Sequence, residues 1–379
     1  MFDVIICGGG PAGLTAALAL GNSGMKVGLF EKDHYPRDKI CGDAIPAYVH
    51  KLLNTINPGY GKVIEQLPQA ENVNICRIIA PNRKILDLKY RESGLICRRQ
   101  IFDNCLFDLA SKLTGLYIFQ DTAVTDITYD DSRMLISTSQ KQFFISRIVI
   151  GCDGANSIVR QKLSDNKIDI KSCSSAVRAY FKNVKDIPEA TFELHFLNGI
   201  TPGYFWIFPL PDNQSNVGIG LPSYIISSRK INLRKEFIRI IETAPEIKRR
   251  FSEAEMIGDI EGSLLPLCTR KISVSGKGYM LCGDAASLIS PATGAGIGQA
   301  MISGRYAGWH ALKCFEKNDF SSEFMSGYDN AVYEKLWYEN RNHNYIRRLI
   351  DLSPRLLNLA VSMASRHRSV YNAILKFLQ

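Results

Sequence analysis

Residues 2–13 read FDVIICGGGPAG, and this stretch decides the fold. Its first half is apolar and rich in β-branched residues, which predicts a buried parallel strand. Its second half contains Gly8-x-Gly10-x-x-Gly13 and leads into LTAALALGNSG, a predicted helix that ends at Gly24. The strand KVGLFEK follows, so the stretch opens a strand–turn–helix–strand unit.

This order of elements indicates a dinucleotide-binding site. Gly8 permits a tight turn, Gly10 lets the backbone approach a pyrophosphate, and Gly13 lets the helix lie close to the strand. The helix then directs the positive end of its dipole at the phosphates. Glu31, in the second strand, is placed to accept hydrogen bonds from a ribose hydroxyl and disfavours a 2′-phosphate. The adenosine is therefore predicted to belong to FAD or NAD rather than NADP.

Two later segments repeat the pattern of an apolar strand followed by a polar turn. RIVIGCDGANSIVR occupies 147–160, and GYMLCGDAASLISPATGAGIGQA occupies 278–300 and leads into a helix starting within 294–298. Ligands bind at the carboxyl edge of open α/β sheets, where such turns lie. Asp153 and Arg160 are interpreted as a structural pair that holds the first of these turns.

Together these segments resemble the fingerprints of the p-hydroxybenzoate hydroxylase-type flavoproteins. RRQIFDNCLFDLA, residues 98–110, is similar to the R-x-x-F-D-x-x-L helix of that superfamily. The resemblance implies an α/β FAD-binding Rossmann-like domain that holds FAD in an extended form. Arg99 would contact the flavin-side phosphate or ribityl chain, Asp284 a ribityl hydroxyl, and the helix from Gly296 the flavin pyrimidine. The resemblance implies further cofactor contacts at Ala12, Gly42, Ala44, Val124 and Ile297.

Two more stretches resemble the geranylgeranyl reductase family of FAD-dependent oxidoreductases. YPRDKICGDAIP (35–46) is similar to its P-R-D-K-x-C-G segment, although Asp43 stands where many members have a second glycine. PGYFWIFPLPDNQSNVGIG (202–220) is similar to its Y-x-W-x-F-P segment followed by V-G-x-G. The second stretch has one tryptophan where flavin-dependent halogenases carry W-x-W-x-I-P, which disfavours a halogenase.

Alternation in the second stretch puts three aromatic side chains, Tyr204, Trp206 and Phe208, on one face of a strand. We interpret them as the wall of a site for a flat or isoprenoid substrate, with ordinary sheet core as the alternative. Reduction of an unactivated alkene also needs a proton donor at the carbon opposite the hydride. Cys41, Asp43 and Tyr204 are the candidates for this catalytic role.

The first hypothesis for function is a reductase that takes electrons from NAD(P)H through FAD and reduces carbon–carbon double bonds of a prenyl lipid or isoprenoid. One Gly-rich unit with a following acid occurs, so no separate nicotinamide-binding Rossmann domain is expected. One alternative is an FAD-dependent monooxygenase, or halogenase-like enzyme, acting on an aromatic or polyketide-type substrate. Another is a non-catalytic prenyl-binding protein on the same scaffold.

The chain is predicted to have three parts. The first is a discontinuous FAD-binding domain, residues 1–75, 97–165 and 274–320. The second is an inserted antiparallel β-sheet substrate domain, residues 76–96 and 166–273. The third is a C-terminal helical region, residues 321–379. Within the second part, LRKEFIRIIETAPEIKRRF (233–251) has helical spacing with Ile238, Ile241 and Ile247 on one side.

Composition and motif content limit the cellular compartment and the classes of binding partner that are expected. The ten cysteines are scattered without CxxC or zinc spacing, which predicts free thiols and no metal site. No signal peptide, transmembrane run or nucleic-acid motif is apparent, so a cytoplasmic protein with a small-molecule or lipid substrate is expected. The net charge of +9 has its excess near the C-terminus. That segment is expected either to dock on the catalytic domains or to make peripheral contact with the inner face of an anionic membrane.

Overall fold

The structure is a computed structural model that describes residues 1–130, 133–353 and 355–378, and within them the strands form two eight-stranded sheets. In chain order the strands are β1 (Phe2–Cys7), β2 (Val27–Phe30), β3 (Ala44–Ile45), β4 (Ala70–Ile79), β5 (Ile85–Cys97), β6 (Leu116–Phe119), β7 (Val124–Asp130), β8 (Arg133–Thr138), β9 (Phe143–Gly151), β10 (Cys173–Lys182), β11 (Thr191–His195), β12 (Tyr204–Leu210), β13 (Gln214–Pro222), β14 (Glu255–Pro266), β15 (Ser275–Gly276) and β16 (Tyr279–Leu281). The helices are α1 (Pro11–Leu20), α2 (Val49–Asn54), α3 (Tyr60–Glu65), α4 (Arg99–Ala110), α5 (Ile158–Leu163), α6 (Ser223–Arg229), α7 (Leu233–Thr243), α8 (Pro245–Arg250), α9 (Ile297–Lys317), α10 (Ser322–Leu352), α11 (Arg355–Ala364) and α12 (Arg368–Leu378).

The first sheet carries the dinucleotide-binding unit. Its order is β15-β16-β9-β1-β2-β6, in which β16, β9, β1, β2 and β6 are parallel, and β8 and β7 continue antiparallel from β9. Val4, Ile5 and Ile6 in β1 are fully buried, as expected for a central parallel strand covered on both faces. The turns after β1, β9 and β16 therefore meet at one carboxyl edge.

The second sheet runs β14-β10-β13-β12-β11-β4-β5-β3. It is antiparallel, as predicted, except that β11 pairs with β4 in parallel. β4 begins at Ala70, where it pairs with the end of β5 before a register shift between Val73 and Ile75. The short β3 also joins β5 and ties the segment after Cys41 to this sheet. The division into domains stays a prediction.

The helix predicted over 233–251 is two helices, α7 and α8. Pro245 starts the second one because proline lacks an amide hydrogen and suits the first helical position. The buried face of α7 also differs from the prediction, since its buried residues are Leu233, Phe237 and Ile240, while Ile238 and Ile241 are partly buried. Ile247 is buried in α8 as predicted.

The C-terminal helices cover one end of the second sheet. Leu357, Val361 and Ala364 of α11 are buried against Ile78 and Leu88 of β4 and β5. Burial of such side chains stabilises the docked helix by roughly 1.5–3 kcal/mol each for the larger ones. None of the helices in the described ranges combines the length and apolarity needed to cross a membrane.

Candidate active site

The glycine motif lies at the carboxyl end of β1. Gly8 has φ +97°, and a Cβ there would lie 2.4 Å from the carbonyl oxygen of Cys152. A Cβ on Gly13 would lie 1.9 Å from the carbonyl oxygen of Gly8. At Gly10, by contrast, no atom lies within 4 Å of the Cβ position, and no side chain caps α1. The amides at the start of α1 are therefore open to a phosphate, and the motif fits a dinucleotide.

Glu31 holds its carboxylate beside this turn. Oε2 accepts a hydrogen bond from the Gly9 amide at 2.9 Å and lies 3.3 Å from Nη2 of Arg37. Oε1 accepts from the Asp33 amide at 3.1 Å. Val124, at the start of β7, lies at the same edge of the sheet, because the Thr122 amide donates to the Glu31 carbonyl. Glu31 and the segment before β7 thus lie beside the glycine motif, and the contacts of Glu31 and Val124 with an adenosine stay predictions.

A cavity of about 680 Å³ connects the glycine motif with the second sheet. This volume falls within the roughly 300–1,000 Å³ typical of ligand sites. The predicted site residues on its wall are Gly10, Ala12, Cys41, Gly42, Ala44, Arg99, Tyr204, Trp206, Phe208, Asp284, Gly296 and Ile297. Gly8, Gly13, Glu31, Val124 and Asp43 lie outside that wall.

The start of α9 also faces the cavity. Gly296 is its N-cap, and no side chain caps the helix, so free amides and the positive dipole end meet the cavity. Asp284 lies in the turn after β16, and a Cβ on Gly296 would lie 3.7 Å from its Oδ1. Lys39 Nζ is 3.7 Å from the same carboxylate. The free amides of α9 and the carboxylate of Asp284 supply hydrogen-bond donors and acceptors that fit the polar atoms of a flavin and its ribityl chain.

Asp153 and Arg160 bind backbone groups instead of each other. Asp153 accepts from the amides of Ile158 and Val159, at 2.7 and 3.2 Å, and so holds the start of α5. Arg160 donates to the carbonyl of Ala285 at 3.0 Å. The predicted pair was wrong in its partners, because each side chain finds closer unsatisfied backbone groups at a helix end or turn. Arg160 still steadies the turn that carries Asp284.

The side chains of Arg98 and Arg99, which are adjacent in the sequence, have different surroundings. Arg99 is buried and makes a bidentate ion pair with Asp103, at 2.7 and 2.8 Å, while bordering the cavity. Burial lowers the pKa of Arg99, but the Asp103 carboxylate outweighs it and raises that pKa. Arg98 turns the other way, donates to Gln214 and stacks 4.1 Å from the Tyr180 ring. Of the two arginines, Arg99 borders the cavity, and its contact with the cofactor stays a prediction.

Asn216 of β13 joins the Cys41 loop to the aromatic wall. Its Nδ2 donates to the carbonyl of Cys41 and to Oδ2 of Asp43, both at 2.8 Å. Its Oδ1 accepts from Nε1 of Trp206 at 2.9 Å. Tyr180 also donates to Oδ2 of Asp43, at 2.8 Å. One buried amide thus sets the relative position of the loop and the wall.

Asp43 and Cys41 have different environments despite their proximity. Asp43 is fully buried and lies off the cavity wall, with its carboxyl bound by Asn216 and Tyr180. Burial raises the pKa of Asp43 to about 6, against the opposing hydrogen bonds of Asn216 and Tyr180. Cys41 borders the cavity, and burial raises the pKa of its thiol, against the charge of Arg99. The thiol therefore stays protonated at neutral pH.

The aromatic wall depends on small residues in β13. The Trp206 indole lies against Gly218, where a Cβ would be 2.1 Å from Cζ2 of the ring. Trp206 and Phe208 have centroids 6.0 Å apart, and a Cβ on Gly42 would lie 3.3 Å from Phe208. Tyr204 donates its hydroxyl to the carbonyl of Thr293 at 2.5 Å, and burial raises its pKa. The V-G-x-G segment therefore makes room for the indole.

Sequence reasoning missed Asn216, Tyr180 and Arg178. Arg178 borders the cavity and pairs with Asp38 at 2.6 Å. Asn216 stands in the stretch PGYFWIFPLPDNQSNVGIG that resembles the reductase family, but it was not among the predicted site residues. No local signal distinguished these residues, since most of their partners lie far away in the sequence, in the loop before β3.

Comparisons with known proteins agree with this geometry. The family described as FAD binding domain matches residues 1–331. A digeranylgeranylglycerophospholipid reductase of Methanosarcina acetivorans is 29% identical, with 96% of this chain and 86% of that protein covered. A geranylgeranyl diphosphate reductase of Rhodobacter capsulatus is 27% identical, with 82% and 75% covered.

Solved structures share the fold. A geranylgeranyl bacteriochlorophyll reductase-like protein from Thermoplasma acidophilum superposes with a TM-score of 0.83 and 25% identity, covering 97% of this chain and 92% of the other. The flavin-dependent brominase Bmp2 has a TM-score of 0.81 and 19% identity, covering 100% and 93%. These matches confirm the predicted fold class and the resemblance to the reductase family.

Proposed function

The chain belongs to the FAD binding domain family, and from this premise we propose that it reduces carbon–carbon double bonds of an isoprenoid lipid with electrons from NAD(P)H. It is an FAD-dependent oxidoreductase, and the proposal concerns its substrate, its reductant and the roles of its residues. The names of the reductase relatives support the substrate class.

The observation that carries the proposal is the continuity of the cavity. One space borders the start of α9, where the flavin is expected, and the apolar side chains of the second sheet, which include Phe192, Leu194, Trp206 and Phe208. FAD, when bound, supplies the hydride for an alkene carbon. An apolar wall beside that position suits a hydrocarbon chain, because burial of its surface provides the binding energy.

The cofactor roles are assigned by position. The α1 amides and Glu31 hold the adenosine half, with Val124 beside it. Asp284 and Arg99 hold the ribityl and phosphate region, and the α9 amides at Gly296 and Ile297 receive the flavin pyrimidine. Gly42 and Ala44 have small side chains or none, so the backbone at these positions can approach the flavin ring closely.

Cys41 is the proton donor in this proposal. Its thiol is protonated, borders the cavity and lies in the loop that covers the flavin position. Asp43 acts as a positioning residue, because its carboxylate faces Asn216 and Tyr180. Tyr204, whose hydroxyl is committed to a backbone carbonyl, shapes the substrate wall.

Anaerobic incubation of the FAD-loaded protein with NAD(P)H and a geranylgeranyl compound tests the proposal. Mass spectrometry should show a pair of hydrogens added per reduced bond, with NAD(P)H consumed in proportion. Product that forms only with dioxygen, and carries its oxygen, would establish the monooxygenase alternative. Protein that purifies colourless and leaves the ligand unchanged would establish the binding-protein alternative.

Two cysteine variants distinguish a catalytic role of Cys41 from a role in cofactor binding. Cys41→Ser should keep the flavin absorbance and lose most turnover, because serine is a far weaker acid. Cys105→Ser is the matched control, since Cys105 is partly buried away from the cavity. Equal turnover in both variants would remove Cys41 from the proposed role.

We also propose peripheral contact with an anionic membrane through the C-terminal helices. One face of α11 docks on the sheet, and the other belongs to a C-terminal apolar surface formed by Leu352, Leu356, Leu359 and Met363. Leu352 is 83% exposed and Leu359 is 55% exposed. The exposed Arg355, Arg366 and Arg368 lie in or beside the same helices and complement anionic headgroups.

Co-sedimentation with anionic vesicles tests this contact. Replacement of Leu356, Leu359 and Met363 by glutamine should lower the bound fraction, because their apolar surface would no longer enter the interface. The control replaces Phe143, Ile145 and Ile170, which are exposed elsewhere. Equal binding by the two triple variants would contradict the proposed surface. Point variants are needed because truncation near residue 350 would also uncover the sheet.

A further inference from the structure

A buried histidine of α10 holds the segment that leads into α9. The side chain of His343 is buried, and its Nδ1 lies 2.8 Å from Oγ of Ser290, which is also buried. Its Nε2 lies 2.7 Å from the carbonyl oxygen of Phe377, in the last turn of α12. One imidazole thus joins the segment before α9 to a helix that lies far away in the sequence.

The carbonyl of Phe377 decides the direction of both hydrogen bonds. A carbonyl oxygen only accepts, so Nε2 of His343 carries the hydrogen and donates it. In the neutral ring Nδ1 is then an acceptor, and the Ser290 hydroxyl donates to it. Oε1 of Glu339 lies 4.0 Å from Nδ1, beyond hydrogen-bond distance, so Ser290 is the partner of that nitrogen. The bond to α12 therefore leaves Nδ1 available to Ser290.

Ser290 closes a turn, residues 290–295, that borders the cavity. Its amide donates to the carbonyl of Ala295 at 2.9 Å, and its carbonyl accepts from the Gly294 amide at 3.0 Å. Residues 291 to 295 all lie on the cavity wall, directly before Gly296, the N-cap of α9. The position of this turn therefore sets where the free amides of α9 meet a ligand.

The other partner of His343, α12, is anchored independently. The Tyr371 hydroxyl accepts from the Lys89 amide of β5 at 2.9 Å, so α12 is tied to the second sheet. Carbonyls in the last turn of a helix have no partner within that helix, and His343 supplies one for Phe377. The next residue, Leu378, lies on the cavity wall. His343 therefore links two parts of the cavity lining, the end of α12 and the turn 290–295.

We propose that His343 is a positioning residue for the flavin: anchored on α12, it holds the turn 290–295 through Ser290 and so places the amides at the start of α9. The inference rests on the proposed position of the flavin at those amides. A histidine that only stabilised the core would act on folding and leave flavin affinity unchanged. The two roles therefore differ in what a variant changes.

The affinity for FAD, measured by the quenching of flavin fluorescence, tests this role. His343→Phe keeps a ring and loses both hydrogen bonds, so it should weaken FAD binding about fivefold, the effect of one neutral hydrogen bond. His310→Phe is the matched control, because His310 is buried in α9 off the cavity wall and binds the carbonyl of Phe324 at 3.1 Å. The control should change the affinity for FAD by less than about twofold.

Ser290→Ala shows whether His343 acts through the turn. Alone it should weaken FAD binding about as much as His343→Phe does. Adding His343→Phe to it should cause less than about a twofold further loss, because both changes break the same bond. Hydrogen exchange of the FAD-loaded protein gives a second readout. Amides of 290–296 should exchange faster in both single variants, and those of 368–378 only in His343→Phe.

Three outcomes would overturn the inference. An unchanged affinity for FAD in His343→Phe would mean that the turn keeps its position without the histidine. Losses that multiply in the double variant would mean that His343 does not act through Ser290. Equal losses in His343→Phe and His310→Phe would mean a general loss of stability.

If His343→Phe does not fold, His343→Gln decides. The glutamine amide takes the place of Nε2, so it keeps a donor for Phe377 and loses the acceptor for Ser290. Weaker FAD binding then supports the role, and unchanged binding refutes it. These measurements involve no isoprenoid, so their failure and that of the proposed reaction are distinguishable. A protein that shows the link but reduces no isoprenoid would refute the proposed function alone.

Discussion

Asn216→Ala should separate the Cys41 loop from the aromatic wall. The change removes two buried donor contacts, to the Cys41 carbonyl and the Asp43 carboxyl, and one acceptor for Trp206. Each such bond contributes about 1 kcal/mol, more for the charged partner, and the orphaned indole N–H adds a penalty. We therefore expect a loss of about 3–5 kcal/mol in the free energy of unfolding at neutral pH.

Denaturant unfolding of the FAD-free protein measures this loss, with Asn104→Ala as the control. Asn104 makes one exposed side-chain bond, to Asp108, so its replacement should change stability by less than about 0.5 kcal/mol. FAD binding by Asn216→Ala should persist, because the amide lies away from the glycine motif, while turnover falls. A stability loss below about 1 kcal/mol would refute the reasoning, since it would mean that the three bonds do not form together.

Three further changes test separate parts of the site. Gly218→Ala places a Cβ 2.1 Å from the Trp206 ring, so it should shift indole fluorescence and lower turnover. In the control Gly220→Ala, the Cβ lies 3.8 Å from that ring, and neither change is expected. Similar effects of the two variants would contradict the packing of the indole against Gly218. Gly10→Ala should leave the thermal stability of the FAD-free protein unchanged and weaken FAD binding about tenfold or more, because a Cβ would keep the pyrophosphate from the backbone; unchanged affinity would be the contrary result. Burial raises the pKa of Asp43 from its ordinary value of 3.8 to about 6, so the native protein holds a proton that the unfolded chain releases. Stability should therefore fall by roughly 3 kcal/mol as the pH rises through that window, and Asp43→Asn should remove this part of the slope in a pH series of denaturation curves; an unaltered slope would count against it.

Local patterns in the sequence predicted the cofactor half of the molecule well. The glycine spacing and the apolar strand before it are short-range features, and Gly8, Gly10 and Gly13 occupy the turn that they require. Arg99 was harder, because Arg98 precedes it and only the direction of α4 separates the two side chains. The break at Pro245 shows the reverse case, in which a local signal was present and overridden by the spacing of the isoleucines.

The remaining site could not be read from one sequence because it is assembled from distant elements. Tyr180 and Asn216 are paired residues of β10 and β13, and Asp43 binds both through side-chain hydrogen bonds from a distant loop. Asp43 also has a positive φ, +63°, which is uncommon for a residue other than glycine and which the sequence does not reveal.

The central claim is that one cavity brings an isoprenoid double bond to the flavin. The most direct measurement mixes FAD-loaded protein, reduced beforehand by light, with a geranylgeranyl compound under strict anaerobic conditions. We expect the absorbance of oxidised flavin to return at a rate that depends on the isoprenoid, with an equivalent amount of saturated bonds in the product. Flavin that stays reduced until dioxygen is admitted would contradict the account.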